Sequence, residues 1–576
     1  MKVLLLHPED ALAQTYPVQR WDLVVDIGRA PAETYQHWSR EAGCSVISIY
    51  DHADETEDLY RLRELLRLGA GRVTDQWGID WWEVLSLELA PQLQQLMLVR
   101  RLSKGLDAGC ELYSSRPDRL ATALQKLLDA RLRILENGFQ SVIQRAKHCR
   151  NLFSHLDAAQ LLQVLEDRFD SEHSIRRCFT RRRRTSGQPI ILLPSAYINV
   201  SRTALSYAEQ LPDHQFLLAH SRSNAKLRSL PKNVRSASLT PYFVPSNKRE
   251  TSSLIESWSA LRKQLIGAAE EFNTADAVGL LGRIPALLLW GIALRDAWNQ
   301  VFESENVTAC LSADDSNPPS SIPLILAKKR GLPALACHHG ALNYMTAIKV
   351  NHADFYLAKS EMEWDYLERI CHINGEKIAM ASLPSAKALP TVRRSAPWLV
   401  FFTEPYASYG WRSDEVYRDL LPRLCFLAQT RGLKLVFKLH PFESVKGHRR
   451  MLRRLIPERE SQIEVLAGPP SDELWHNTRL ALTVQSSTAL ECAASGIPVF
   501  LCAWLRDPYS GYVQQYTRFG VGHVLESPEQ IAVIPTLLES QQARSFKQKA
   551  TRSPIDSDQF AHLLSGTHSL PVASSA

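Results

Sequence analysis

Val484–Phe500 reads VQSSTALECAASGIPVF. An apolar run ends at Gln485, and Ser486, Ser487 and Thr488 then supply hydroxyls where helical spacing begins, the chemistry of a helix start. Glu491, three residues after Thr488, has the spacing of a capping box. Ala493, Ala494 and Ser495 are small enough to let a helix lie close on a sheet. Gly496 stops the helix, and Pro498 opens the next apolar run. Strand, helix and strand in immediate succession predict a parallel βαβ unit.

The same rhythm extends in both directions. Upstream lie WLVFFTEPY and KLVFKLHP; downstream lie IPVFLC and VGHVLES, with helical segments between them. Residues 396–535 thus read as one doubly wound domain, and 536–576 as a terminal helix and tail. Residues 1–385 read as a second Rossmann-like domain. Its strand-like runs are KVLLL, DLVVDIG and SVISIYD near the start, then PIILLPS, HQFLLAHS, VTACLSADD and LPALACHHG. Amphipathic spacing over about 55–175 predicts a helical insertion. The linkers are basic at Arg176–Arg184 and rich in Ala, Pro and Ser before Trp398. The expected fold class is α/β: two Rossmann-like doubly wound domains with a helical insertion in the first.

Composition narrows the class. The chain has 576 residues, 45% hydrophobic and 22% charged, with a formal charge of +6. That charge is too dilute for a dedicated nucleic-acid binder and compatible with anionic ligands. Ten cysteines occur without a C-x-x-C pair, several inside apolar runs (Cys310, Cys337, Cys492, Cys502), as in reduced cytoplasmic proteins. The longest apolar stretch, Ile284–Leu294, falls short of the ~20 residues that span a bilayer. The expected location is cytoplasmic. The basic linker allows peripheral contact with the inner face of a membrane, although such a run also fits a solvated connector.

In open parallel sheets ligands sit at the carboxyl ends of the strands. KLHP places Lys438, His440 and Pro441 at one such end. Proline cannot continue the ladder and keeps the preceding residue extended, which aims His440 outward; a capping histidine fits the same pattern. Ser486, Ser487 and Thr488 mark a second end, where free N–H groups and hydroxyls suit an anion. The two motifs in this order, KLHP then SSTALE-AASGIPVF, resemble GT-B glycosyltransferases of bacterial surface polysaccharides: capsule-type Kdo transferases, polysialyltransferases and CDP-glycerol polymerases. The resemblance is best over Trp398–Glu526 and weaker over Cys310–Lys359.

The resemblance implies that His440, Pro441, Ser486, Ser487 and Thr488 hold the nucleotide and phosphate of an activated donor. Lys438, Glu491 and Glu404, the last in FFTEPYASYG, join them. It also implies that His339, in ACHHGALN, is the general base, a task suited to imidazole near neutral pH. Asp315, in SADDSNPPS, is the alternative base. Asp314, with Asn199 and Arg202 of PSAYINVSRTA, is a candidate for acceptor binding, although Asp or Asn before two prolines also reads as a helix cap. No metal and no cofactor is expected. The expected partners are a CMP-, CDP- or UDP-linked sugar and a glycan or lipid-linked acceptor. The alternatives are a CDP-polyol phosphotransferase, a sugar-nucleotide epimerase of the same fold, and a non-catalytic scaffold of a polysaccharide assembly complex.

Overall fold

A computed structural model describes residues 1–7, 21–27, 45–135, 187–222, 227, 229–338, 340, 342, 347–381, 396–406, 413–505, 512–539 and 552–566. His339, the basic linker Arg176–Arg184 and most of the linker before Trp398 lie outside the described residues.

The fold is α/β, and its strands form three parallel sheets. The first contains β1 (Lys2–Leu6), β2 (Leu23–Asp26), β3 (Ser45–Ser48), β4 (Glu111–Ser114) and β5 (Arg131–Ile134). The second contains β6 (Ile190–Ser195), β7 (Phe216–His220), β8 (Val234–Ser238), β9 (Val307–Ser312), β10 (Ala334–Cys337), β11 (Phe355–Ala358) and β12 (Ile378–Met380). The third contains β13 (Trp398–Phe402), β14 (Lys434–Lys438), β15 (Glu464–Leu466), β16 (Thr478–Thr483), β17 (Val499–Cys502) and β18 (His523–Leu525). The orders are β3-β2-β1-β4-β5, β12-β11-β10-β9-β6-β7-β8 and β15-β14-β13-β16-β17-β18. In each, the chain winds outward from its first strand through the second and third, then returns to place the fourth on the other side. That is the doubly wound order. The C-terminal unit expected from the sequence is the third sheet; the single unit expected over 1–385 is divided between the first and second sheets.

The first sheet is additional. The span 55–175 does supply helices, at Glu55–Arg67, Trp81–Ser86, Ala90–Ser103 and Arg119–Leu128, but β4 and β5 lie within it and pair beside β1. The helical spacing of LATALQKLLDARLRI hides β5. Its helix stops at Asp129, which adopts the left-handed backbone (φ 48°) usually given to glycine. β5 is an edge strand with arginines on its open face, so it lacks the apolar run of a central strand.

Three helices between β8 and β9, Lys248–Ala268, Glu270–Ala277 and Ile284–Ser304, join the first sheet's helices to the second sheet. Trp82 stacks on Trp258 with centroids 5.8 Å apart. Gly291 lets the ring of Trp81 lie directly against the last of these helices; a Cβ there would sit 2.5 Å from the ring. Arg295, 1% exposed, is held at 2.7 Å by Asp75 and 2.8 Å by Glu250, so its buried charge is paired. The chain ends by crossing back: Phe560, Leu563 and Leu564 of the helix Ser557–Ser565 pack into the core of the second sheet. Cys310, Cys337, Cys492 and Cys502 are buried free thiols. Among the described residues no single helix is long and apolar enough to cross a membrane.

Candidate active site

Strand order reverses between β13 and β16 in the third sheet and between β6 and β9 in the second. The carboxyl ends of these strands open the crevices where doubly wound sheets place ligands. Side chains from the two sheets meet there. Asn199, on the helix Ile198–Ala208 after β6, has its Nδ2 3.4 Å from Nε2 of His440. The rings of Tyr197 and Phe442 meet at an angle with centroids 6.2 Å apart.

The turn after β14 builds the His440 edge. Glu443 N–H donates to the His440 carbonyl at 2.9 Å, closing a turn whose second residue is Pro441, where a fixed φ is favoured. The His440 N–H points to Thr403 Oγ1 and Glu443 Oε2, each at 3.0 Å. Phe442 N–H donates to Nδ1 at 3.3 Å. The ring proton then belongs on Nε2, an assignment made from the network, and Asn199 accepts it only with its amide turned to bring the oxygen where Nδ2 is placed. The proline thus directs a donor nitrogen at the opposite sheet.

Glu404 follows β13 and is 4% exposed. It accepts Gln485 N–H at 2.8 Å and Thr483 Oγ1 at 3.4 Å, so one carboxyl closes the switch point between β13 and β16. Burial outweighs these donors and pushes its pKa up to about 7. Glu443 is likewise pushed up to about 7 by burial, and Thr403 Oγ1 donates to it.

Positive charge gathers beside these carboxyls. The Lys438 ammonium is buried and donates to the carbonyls of Gly468 and Leu439. Burial and the nearby Arg202 lower its pKa to about 8, against the pull of Glu443 and Glu491. Arg202 is half-buried, and burial lowers its pKa. No hydrogen bond or ion pair to its guanidinium is found among the described residues.

The Ser486–Thr488 turn differs from the expected cap. The helix runs Thr488–Ala494, which makes Thr488 its first residue and puts Glu491 one position too far along for a capping box; Ser487 precedes it without a side-chain cap bond. Ser486 takes the task instead, its Oγ accepting Thr488 N–H at 3.3 Å and lying 3.0 Å from Thr488 Oγ1.

The acids after β9 are committed to the protein. Asp314 accepts from Ser316 N–H (2.9 Å), Ser316 Oγ, Asn317 Nδ2 (2.6 Å) and Tyr197 OH (2.7 Å). Those four bonds occupy its acceptor positions, so Asp314 organises a turn and holds Tyr197 and is not open to an acceptor hydroxyl. Asn317 caps the helix Pro318–Lys329, as the proline pair suggests. Asp315 is ion-paired to Lys349 and accepts Tyr356 OH at 3.2 Å, all three buried. Its two carboxylate oxygens are thus committed to Lys349 and Tyr356 inside the protein. His338 is buried, and its carbonyl takes the Lys359 ammonium, fixing the end of β10 one residue before His339.

Thr403, Phe442 and Glu443 belong to the site and escaped the sequence reading. Glu443 had a signal: an acid two residues after a His-Pro turn can reach back to the turn's free N–H groups. Thr403 had none beyond its place before Glu404.

No family model and no curated protein matches the chain. Solved structures that it resembles include a UDP-GlcNAc 2-epimerase from Methanocaldococcus jannaschii (11% identity, TM-score 0.39, covering 67% of this chain and 100% of that one). Others are the wall teichoic acid polymerase TagF (12%, 0.39, 73% and 97%) and MurG of Acinetobacter baumannii (11%, 0.37, 67% and 100%). At such identities and scores the functional assignment rests on the geometry of this chain itself.

Proposed function

We propose that the crevice holds the phosphates of a nucleotide-activated sugar, and that the chain is a GT-B-type inverting glycosyltransferase acting on a glycan or lipid-linked hydroxyl. The observation that carries the reading is Arg202. A half-buried guanidinium without a partner among the described residues, close enough to depress a buried lysine, is stabilised by an anion. His440 Nε2 lies 3.4 Å from Asn199 at the same edge, and Ser486 and Thr488 carry hydroxyls at the adjoining strand end.

In the reaction the bond from the sugar's anomeric carbon to the phosphate oxygen breaks, and a bond to the acceptor oxygen forms. The electron pair leaves with the nucleotide. Its developing charge falls on the Arg202, Lys438 and His440 cluster, which is preorganised by burial and by the Pro441 turn. The acceptor proton passes to His339, two residues after β10 in the sequence. With Asp315 tied to Lys349, His339 is the better candidate for that step.

A thermal screen of the full chain against CMP, CDP, UDP and GDP tests the donor site. A ligand at 100 times its dissociation constant adds about 2.7 kcal/mol of stability, so at least one nucleotide is expected to raise the melting temperature. Incubation with the matching nucleotide sugar and a glycan acceptor is then expected to release nucleotide and extend the glycan. Release with only a free, altered sugar as product would point to an epimerase instead.

A further inference from the structure

Away from this crevice, a cavity of about 280 Å³ lies where the helices Glu55–Arg67 and Trp81–Ser86 meet the segment 347–351 and Cys371–His372. Its size is near the lower end of small-ligand sites, roughly 300–1,000 Å³. The wall is mixed in a particular way. Leu66, Leu87 and Ile348 supply an apolar side. Arg63 is spent on the protein, donating to the carbonyls of Ala347 and Ile370, and Lys349 is spent on Asp315.

Two acceptors are not spent. Asn351 donates its amide to the Cys371 carbonyl at 3.3 Å, and its buried Oδ1 has no hydrogen-bond partner among the described residues. The Glu83 carboxylate is half-buried and has no hydrogen bond or ion pair among the described residues. Burial, with Asp80 beside it, pushes its pKa up to about 7. Arg67 stands exposed on the same wall. A buried acceptor without a donor is unfavourable, so a ligand that brings a donor to Asn351 Oδ1 relieves it. His372 lines the same space in a left-handed backbone (φ 56°), a strained state that gathers at ligand sites.

We infer that this cavity is a second binding site, for one neutral sugar residue. Vicinal hydroxyls would donate to Glu83 and Asn351, ring or hydroxyl oxygens would accept from Arg67, and the apolar face of the ring would cover Leu66 and Leu87. A purely anionic ligand would meet Glu83, and a purely apolar one would leave both acceptors unsatisfied. The inference does not depend on the nucleotide reading, because the cavity shares none of the crevice's residues.

The test is saturation-transfer NMR and calorimetric titration of the full chain with free glucose, galactose and N-acetylglucosamine. The variants are Glu83→Gln, Arg67→Ala and, in the crevice, Arg202→Ala. At least one sugar is expected to bind the wild type, with affinity reduced tenfold or more by E83Q and reduced by R67A, and unchanged by R202A. Arg67 is exposed, so R67A keeps the test open if E83Q does not fold. Absence of binding by all three sugars, or binding lost in R202A and retained in E83Q and R67A, would overturn the site.

Discussion

At the scale of single residues, the crevice is a set of ionisable groups moved toward neutrality by burial. Glu404 shows the consequence. Its pKa in the folded chain, about 7, lies above that of an exposed glutamate. The fold therefore disfavours its charged form, and its contribution to stability is full at acid pH and is lost as pH rises toward and through 7. Glu404→Gln keeps an oxygen to accept the Gln485 N–H and cannot ionise. The melting temperature of the variant relative to wild type should rise steadily between pH 5 and 8, measured by differential scanning at matched ionic strength. A constant difference across that range would show that Glu404 is ionised at its usual pH. His440 was legible in the sequence because proline leaves so few conformations to its neighbours. Arg202 and Asp314 were not separable there, since only the fold shows that one guanidinium is half-buried beside Lys438 and one carboxylate is fully bonded.

At the scale of elements, legibility followed burial. β14 and β16 are apolar runs with a turn at the end, and both were readable to within a residue or two. The capping box at Glu491 was displaced because the helix begins at Thr488 itself, one residue earlier than a Thr488 cap requires. β4 and β5 were hidden because short strands near an edge carry charge, and Asp129 did the work of a glycine. Close packing between helices was invisible for a related reason: glycine within a helical run reads only as a weak helix former. Gly291 is a position where contact outweighs propensity. Alanine there would gain up to about 1 kcal/mol of helix propensity, but its Cβ would stand 2.5 Å from the buried Trp81 ring. Overpacking of that kind costs typically about 1–3 kcal/mol. Gly291→Ala should therefore lower the melting temperature of the full chain, and an unchanged or raised value would mean the ring moves aside freely.

At the scale of the whole molecule, three doubly wound sheets share one chain, and two of them bring their switch points together. The third sheet's chain does not end with its last strand. The helix Ser557–Ser565 returns to the second sheet, and Arg552 pairs with Glu361 on the way. Removing 552–576 would uncover Phe560's partners in that core, Tyr207 among them. The truncated chain should melt at a lower temperature than the full one, and equal melting would show that the returning helix adds nothing to the second sheet.

The central claim is that the meeting of these two edges binds nucleotide phosphate through Arg202. Calorimetric titration of CDP and UDP into wild type and Arg202→Ala tests it most directly. A hydrogen-bonded charge pair contributes about 1.5–3 kcal/mol, so the account predicts binding by wild type and an affinity lower by roughly 10- to 100-fold in the variant. Equal affinity in the two proteins, or no binding of either nucleotide by folded wild type, would contradict it.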